Sequence, residues 1–340
     1  MEESLVRKKA ELILGGDVRI PEGFRAPFRI SKSTAGPGAG KRGVVFAFGG
    51  TRVKKGIVDS GGDFELIVKE EGYSLNRNGE TFIDNVTIEP VIFHAPGQAF
   101  FNMDNRCIFR CIYCKSPNLE NGSRVSGEKM ASMIRGLPEG TGIGGIAITS
   151  GVAGGIEETV RGMIECVSVL HKEFPNLPIG VEPYVNEKSQ IEAFRNAGVS
   201  EMKINVETAR KDIFDLACPG LDQDTLLEML EHSVSVFGRG KVASNIIIGL
   251  GETDGDVEAM MERLCDMGVV PGLRPLKAGP EELVRISGIL GAPAGTDAER
   301  VVSLAKTQKR ILEEHGLDVS GFRTMCFACG CCDLVPFRDL

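Results

Sequence analysis

The stretch Ala99-Phe100-Phe101-Asn102-Met103-Asp104-Asn105-Arg106-Cys107-Ile108-Phe109-Arg110-Cys111-Ile112-Tyr113-Cys114 decides how this 340-residue chain is read. It opens as a short apolar strand over Ala99 to Met103 and runs directly into three cysteines spaced C-x3-C-x2-C. Structural zinc takes four closed ligands, and an ordinary four-iron cluster takes four cysteines. Three thiolates on one loop suit a four-iron cluster with one iron left open for a small molecule. The plain alternative is a zinc knuckle or three unrelated buried thiols.

Beyond residue 98 the pattern is strand, loop, helix, repeated. Strands are expected at Ala99 to Met103, Gly145 to Ser150, Ile179 to Pro183, Glu201 to Val206, Ala243 to Gly249 and Pro271 to Leu276. Helical periodicity falls between them, over Ile156 to Phe174, Lys188 to Asn196, Asp222 to Phe237 and Thr253 to Met267. Strands alternating with helices make a parallel sheet, and right-handed crossovers curl it toward a barrel. The expected fold is therefore α/β, a partial (β/α)6 barrel over residues 98–290. Such barrels place function where strands end, and the three cysteines follow the first strand directly.

Residues 1–97 read differently. A helix over Glu2 to Leu14 precedes β-rich runs at Val44 to Phe48, Thr51 to Val58, Phe64 to Lys69 and Thr81 to Pro90. Gly49-Gly50, Gly61-Gly62 and Asn78-Gly79 separate them, the last being a strong hairpin signal, so a small antiparallel β unit is expected. The stretch Ser33 to Lys41 looks like a phosphate loop but fails the test. Ala35 replaces the first glycine, and Arg42 rather than Ser or Thr follows Lys41. Residues 291–340 form a C-terminal helix and a cysteine-rich tail.

The cysteine spacing, the aromatic Tyr113 before the third cysteine and the six-fold barrel together resemble the radical S-adenosylmethionine superfamily, in its biotin-synthase-like branch. The resemblance implies a 4Fe-4S cluster on Cys107, Cys111 and Cys114 whose open iron is chelated by S-adenosylmethionine. It further implies an external flavodoxin- or ferredoxin-like electron donor and work under anaerobic conditions. By the same resemblance, Ser150 and Gly151 at the second strand end stand where a Gly-rich motif holds the methionine amino group. That match is approximate, and a plain βα turn is an equal reading. Lys203, Asn205 and Glu207 share one face by alternation, and an inward Asn and carboxylate are costly unless a ligand meets them. The family's equivalent strand contacts the ribose and the methionine end. Arg210 is either a salt-bridge partner for the methionine carboxylate or a solvated helix-start residue. Asn245 and Gly249 on the fifth strand correspond to the adenine-side wall, while Arg274 and Lys277 on the sixth are cations for a substrate carboxylate.

The tail Cys326-Phe-Ala-Cys329-Gly-Cys331-Cys332 puts four thiols within seven residues. The readings are a second cluster, a zinc knuckle or a redox-active thiol. Adjacent Cys331 and Cys332 can hardly bind one tetrahedral metal together, so one of them is spare. Cys166 and Cys265 sit at apolar helix positions and read as core, and Cys218 reads as core or site-lining. Of four histidines, His94 alone lies near the barrel mouth, and no Ser/His/Asp constellation competes.

Net charge is −8 without a long basic run, which argues against a nucleic-acid surface. No apolar stretch reaches the ~18 residues of a membrane span. Ten cysteines without a signal peptide fit a cytoplasmic, reducing setting. The β-rich start and cysteine-rich tail are similar to archaeal enzymes that methylate carbon atoms of methyl-coenzyme M reductase with the help of cobalamin. That resemblance implies C-methylation of a protein glutamine, although the chain has no D-x-H-x-x-G cobalamin motif. The alternatives are sulfur insertion or rearrangement on a small molecule, and a non-catalytic iron–sulfur or zinc scaffold.

Overall fold

The computed structural model describes residues 2–28, 30–32, 40–115 and 122–340. Of the loop Ser33 to Lys41, only Gly40 and Lys41 are among them, and Lys41 pairs with Asp17 at 2.7 Å.

The N-terminal unit begins with helix α1 (Glu3–Leu14), which buries Val6, Ala10, Leu12 and Ile13. Seven strands follow: β1 (Val18–Arg19), β2 (Ser31–Lys32), β3 (Arg42–Phe48), β4 (Thr51–Val58), β5 (Phe64–Val68), β6 (Tyr73–Arg77) and β7 (Glu80–Glu89). The two-glycine and Asn-Gly turns behave as their sequences require. Gly49, Gly50, Asn78 and Gly79 all have positive φ, the backbone of a tight two-residue hairpin. The expected antiparallel unit needs correction in two respects. Strand β1 lies parallel to both β4 and β5, and β3 pairs with β7 as well as β4. The sheet therefore closes on itself through β3, β4, β1, β5, β6 and β7 as a small barrel, which removes its free edges.

The second sheet has six strands, all parallel and in sequential order: β8 (Ala99–Asn102), β9 (Ile146–Thr149), β10 (Ile179–Glu182), β11 (Glu201–Lys203), β12 (Val242–Ile248) and β13 (Val270–Pro275). Helices α2 (Gly127–Arg135), α3 (Ile156–Glu173), α4 (Lys188–Ala197), α5 (Lys211–Ala217), α6 (Gln223–Phe237) and α7 (Asp254–Met267) connect them. Nearly every strand residue is buried, as sheets covered on both faces require. Strand β11 is shorter than expected. Its regular ladder stops at Lys203; the Val206 amide then bonds the Ser244 hydroxyl at 3.0 Å, and Glu207 returns to β12 by a single bridge to Ile246. Glu207 has φ +63°, a strained backbone for a non-glycine residue of the kind held at functional sites. Among the described residues, no helix is long and apolar enough to cross a membrane.

The chain ends with α8 (Pro280–Leu290), α9 (Ala298–Glu314) and the short α10 (Met325–Cys329). Helix α10 plugs the barrel from the end where its strands begin. The Gln98 amide group, just before β8, exchanges two hydrogen bonds with the Met325 backbone at 2.7 and 2.8 Å. The Glu201 carboxylate, at the start of β11, accepts from the Arg323 and Thr324 amides and the Thr324 hydroxyl. Two strands are cut away to admit it: a Cβ at Gly145 or Gly180 would run into Thr324. Farther along, Lys9 and Asp339 form an ion pair at 2.7 Å with both side chains fully buried. Lys9 also donates to the Gly330 carbonyl, and Thr51 donates to Asp339.

Candidate active site at the strand ends

The loop after β8 carries Cys107, Cys111 and Cys114, all half-buried thiols. Local chemistry shapes its entry. Asp104, itself buried, accepts from the Arg106 backbone at 3.0 Å and from its guanidinium at 2.9 and 2.6 Å. The Gly151 amide donates to the Asp104 carbonyl at 2.7 Å. A side chain at Gly151 would strike the Arg106 carbonyl, so this glycine makes room for the cysteine loop. Ser150 turns its hydroxyl onto the Gly151 carbonyl at 2.7 Å. The far side of the loop is pinned by Ile112, whose amide donates to Ala217 at 2.9 Å and whose carbonyl accepts from Arg285 at 2.6 Å.

Tyr113 and Cys218 meet beneath the loop, Oη to Sγ at 3.0 Å, so Cys218 is both fully buried and against the site. Contact with Cys111, then burial, raises the Cys218 pKa above the usual thiol range. Burial and the nearby Glu207 do the same for the Tyr113 hydroxyl. Glu207 is pushed up to about 7 by burial, which Tyr113 and Asn205 partly oppose through hydrogen bonds. As alternation predicted, Lys203, Asn205 and Glu207 turn to the interior. Asn205 donates to Glu182 at 2.8 Å and accepts from the Asn245 amide at 3.1 Å. Lys203 pairs with the same Glu182 oxygen at 3.1 Å.

Glu182 is the residue that sequence reading missed. It ends Ile179-Gly-Val-Glu182, a lone carboxylate on an apolar parallel strand, and that mismatch was the available signal. Burial opposes its charge, but Lys203 and Asn205 outweigh burial and hold its pKa below the usual carboxylate value.

Gly249 and Arg210, both expected at the S-adenosylmethionine site, make these contacts with the protein. Gly249 has φ +103°, and its close approach is to Gly295, whose amide bonds the Gly249 carbonyl at 2.7 Å. Its own amide donates to Glu252 at 2.7 Å, which Arg300 holds in place at 3.0 Å. Arg210 turns outward with its side chain 42% exposed, paired with Asp212 and Asp256. We therefore expect Arg210→Ala to change S-adenosylmethionine affinity by less than about threefold. Titration calorimetry checks this; a tenfold loss would return Arg210 to the site.

The tail reaches the same interior. Cys326 Sγ accepts from Arg274 at 3.0 Å and from Lys203 at 3.2 Å, and Arg274 pairs with buried Asp333 at 3.4 Å. Burial raises the Cys326 thiol pKa against the pull of Lys203 and Arg274. His94 lies nearby. Its ring packs on Phe100 at 4.6 Å, and Lys54 donates to its carbonyl at 2.8 Å. Burial, followed by the fields of Lys54, Arg274 and Lys203, drives its pKa well below 6.5 and keeps it neutral. Cys166 and Cys265 are core residues, as expected, with pKa values raised by burial to about 11 and about 12.

Among the described residues, no three His, Cys, Asp or Glu side chains converge on a single metal ion. The loop thiols are still suited to a cluster, because a cubane takes one thiolate on each of three irons and holds its ligands apart. Three accessible thiols and no fourth on the loop fit that need.

The family profile of the Radical SAM superfamily matches residues 101–264. No curated protein matches the sequence. Among solved structures, the fold is similar to methylornithine synthase (PylB), with 15% identity, a TM-score of 0.51 and coverage of 63% of this chain and 62% of that one. It is also similar to HydG, a maturase of the [FeFe]-hydrogenase, with 13% identity, a TM-score of 0.54 and coverage of 67% and 53%. For HydG from Carboxydothermus hydrogenoformans the values are 15%, 0.52, 69% and 57%. The chain thus spans less than two thirds of the length of these proteins. At such identities the likeness is one of fold. Residues 101–264 thus match a radical S-adenosylmethionine domain, and the barrel is similar in fold to these structures.

Proposed function

We propose that this chain is an enzyme that cleaves S-adenosylmethionine reductively and takes a hydrogen atom from a substrate held in the barrel. The observation that carries the reading is the placement of the three-cysteine loop at the end of β8, directly above the inward row Glu182, Lys203, Asn205 and Glu207. A cluster and S-adenosylmethionine bound there would supply a 5′-deoxyadenosyl radical. Cys107, Cys111 and Cys114 would hold the cluster. Asn205 and Glu207 offer an amide and a carboxylate to ribose hydroxyls or to the methionine ammonium. With a pKa near 7, Glu207 is readily ionised by a cationic ligand, which would relieve its burial. Tyr113 and Cys218 stay protonated beneath the loop and screen it from water.

Anaerobic reconstitution followed by product analysis tests the reading, with 5′-deoxyadenosine the expected product. Protein that takes up zinc alone and leaves S-adenosylmethionine intact would favour a scaffold instead. The narrower reading, cobalamin-dependent C-methylation of a protein glutamine, adds two requirements: cobalamin uptake and S-adenosylhomocysteine beside deoxyadenosine. The N-terminal unit is a closed β-barrel, so cobalamin would have to be held by the large barrel itself. Deoxyadenosine without S-adenosylhomocysteine would favour sulfur insertion or rearrangement.

A further inference from the structure

We propose that Cys326, Cys329 and Cys332 hold a second iron–sulfur cluster at the end of the barrel where its strands begin, with Cys331 excluded from it. This goes beyond the function proposed above and stands on separate residues.

Three observations carry it. The first is spacing and direction. The three residues recur every third position on a short helix and the turn after it, which Gly330 makes at φ +65°. Cys331, the fourth thiol, is 1% exposed and forms an apolar cluster with Val45 and Val91, against which Cys329 and Cys332 also pack. The three-residue repeat leaves Cys331 as the spare one of the two adjacent thiols.

The second is charge. Lys203 and Arg274 both donate to Cys326. Arg52 bonds the carbonyls of Ala328 and Cys329 at 3.0 and 2.8 Å, and the Lys54 amide bonds the Cys331 carbonyl at 3.2 Å. Basic side chains from β4, β11 and β13 thus converge on a buried patch of thiols. Thiolates carrying a cluster are anionic, and cations and hydrogen bonds to sulfur are what stabilise such a group away from water. Among the described residues, no three His, Cys, Asp or Glu side chains converge on one ion, the arrangement a single zinc needs.

The third is an orphan. Asp333, 2% exposed and next in sequence to Cys332, has a buried Oδ1 without a hydrogen-bond partner. A buried carboxylate oxygen left alone is unfavourable unless a donor or a metal meets it. The same carboxylate turns its other oxygen, Oδ2, to Arg274 at 3.4 Å, the cation that also donates to Cys326. The plug itself is built for precision: Gln98 and Glu201 fix its first turn, and Gly145 and Gly180 give it room.

Iron and sulfide analysis of anaerobically reconstituted protein tests the proposal. Wild type should hold about eight irons per chain, and Cys331→Ser the same number. Cys326→Ser/Cys329→Ser/Cys332→Ser should hold about four. Because removing three thiols at once also tests folding, the decisive arm is the reverse one. Cys107→Ala/Cys111→Ala/Cys114→Ala, which cannot cleave S-adenosylmethionine, should still hold about four irons with a cluster absorption band. A folded loop variant with no iron, or one loaded with stoichiometric zinc, overturns the proposal. So does wild-type protein whose iron content the tail variant leaves unchanged. The loop variant's iron content does not depend on radical chemistry, so failure here and failure of the proposed function remain distinguishable.

Discussion

Cys107→Ala/Cys111→Ala/Cys114→Ala will abolish reductive cleavage of S-adenosylmethionine, bringing deoxyadenosine formation down to that of protein-free controls. The expectation follows from the donor count. The loop offers three thiols and no reserve, and the nearest other sulfur, Cys218, is fully buried and engaged with Tyr113. Among the described residues, no neighbouring ligand stands ready to replace a lost one. The fold should survive, because the loop is pinned by Ile112, Asp104 and Arg106 rather than by its thiols. The measurement is paired: deoxyadenosine by chromatography and a thermal melt of the same sample. Cleavage that persists in a folded triple variant would remove the loop from the chemistry.

Asp339→Ala will destabilise the protein by about 3–5 kcal/mol, since it strands the Lys9 ammonium in a fully buried site. Lys9 keeps one further acceptor, the Gly330 carbonyl at 3.0 Å, and the Thr51 hydroxyl loses its own. Removing both charges together is a different matter. Apolar residues of similar volume can replace a buried pair at little cost, so Lys9→Met/Asp339→Leu should regain most of the loss. Urea unfolding midpoints of the single and double variants check this. A single variant within ~1 kcal/mol of wild type would show that the pair is not holding the tail to α1.

The large barrel was legible because buried parallel strands leave continuous apolar runs bounded by turn residues, and each of the six lies where those runs fall. The small barrel was only half legible. Asn78-Gly79 announced its hairpin, but a two-residue strand such as β1 has no period to read, and closure of β3 onto β7 is a long-range event. The site shows the same division. Side-chain alternation put Lys203 and Asn205 inward correctly, because a strand has only two faces. Gly151 and Gly249 were recognised as close approaches, yet their partners are Arg106 and Gly295, and sequence spacing cannot name a partner. Arg210 could not be placed because its outward neighbours, Asp212 and Asp256, belong to two different helices. The tail advertised its thiols but not their destination, which depends on Gln98, Gly180 and Glu201 lying at one end of a barrel.

Threading α10 into that end sets an order of events during synthesis. Residues 323–329 bond to Gln98 and Glu201, made more than a hundred residues earlier, so the barrel floor stays open until the ribosome has passed all six strands. Contacts this distant in sequence form late. The nascent chain therefore leaves Lys203 and Arg274 uncovered from their own synthesis until residues 323–325 emerge. Once the plug seats, it covers the end where the strands begin, while the loop thiols stay half-buried at the other end.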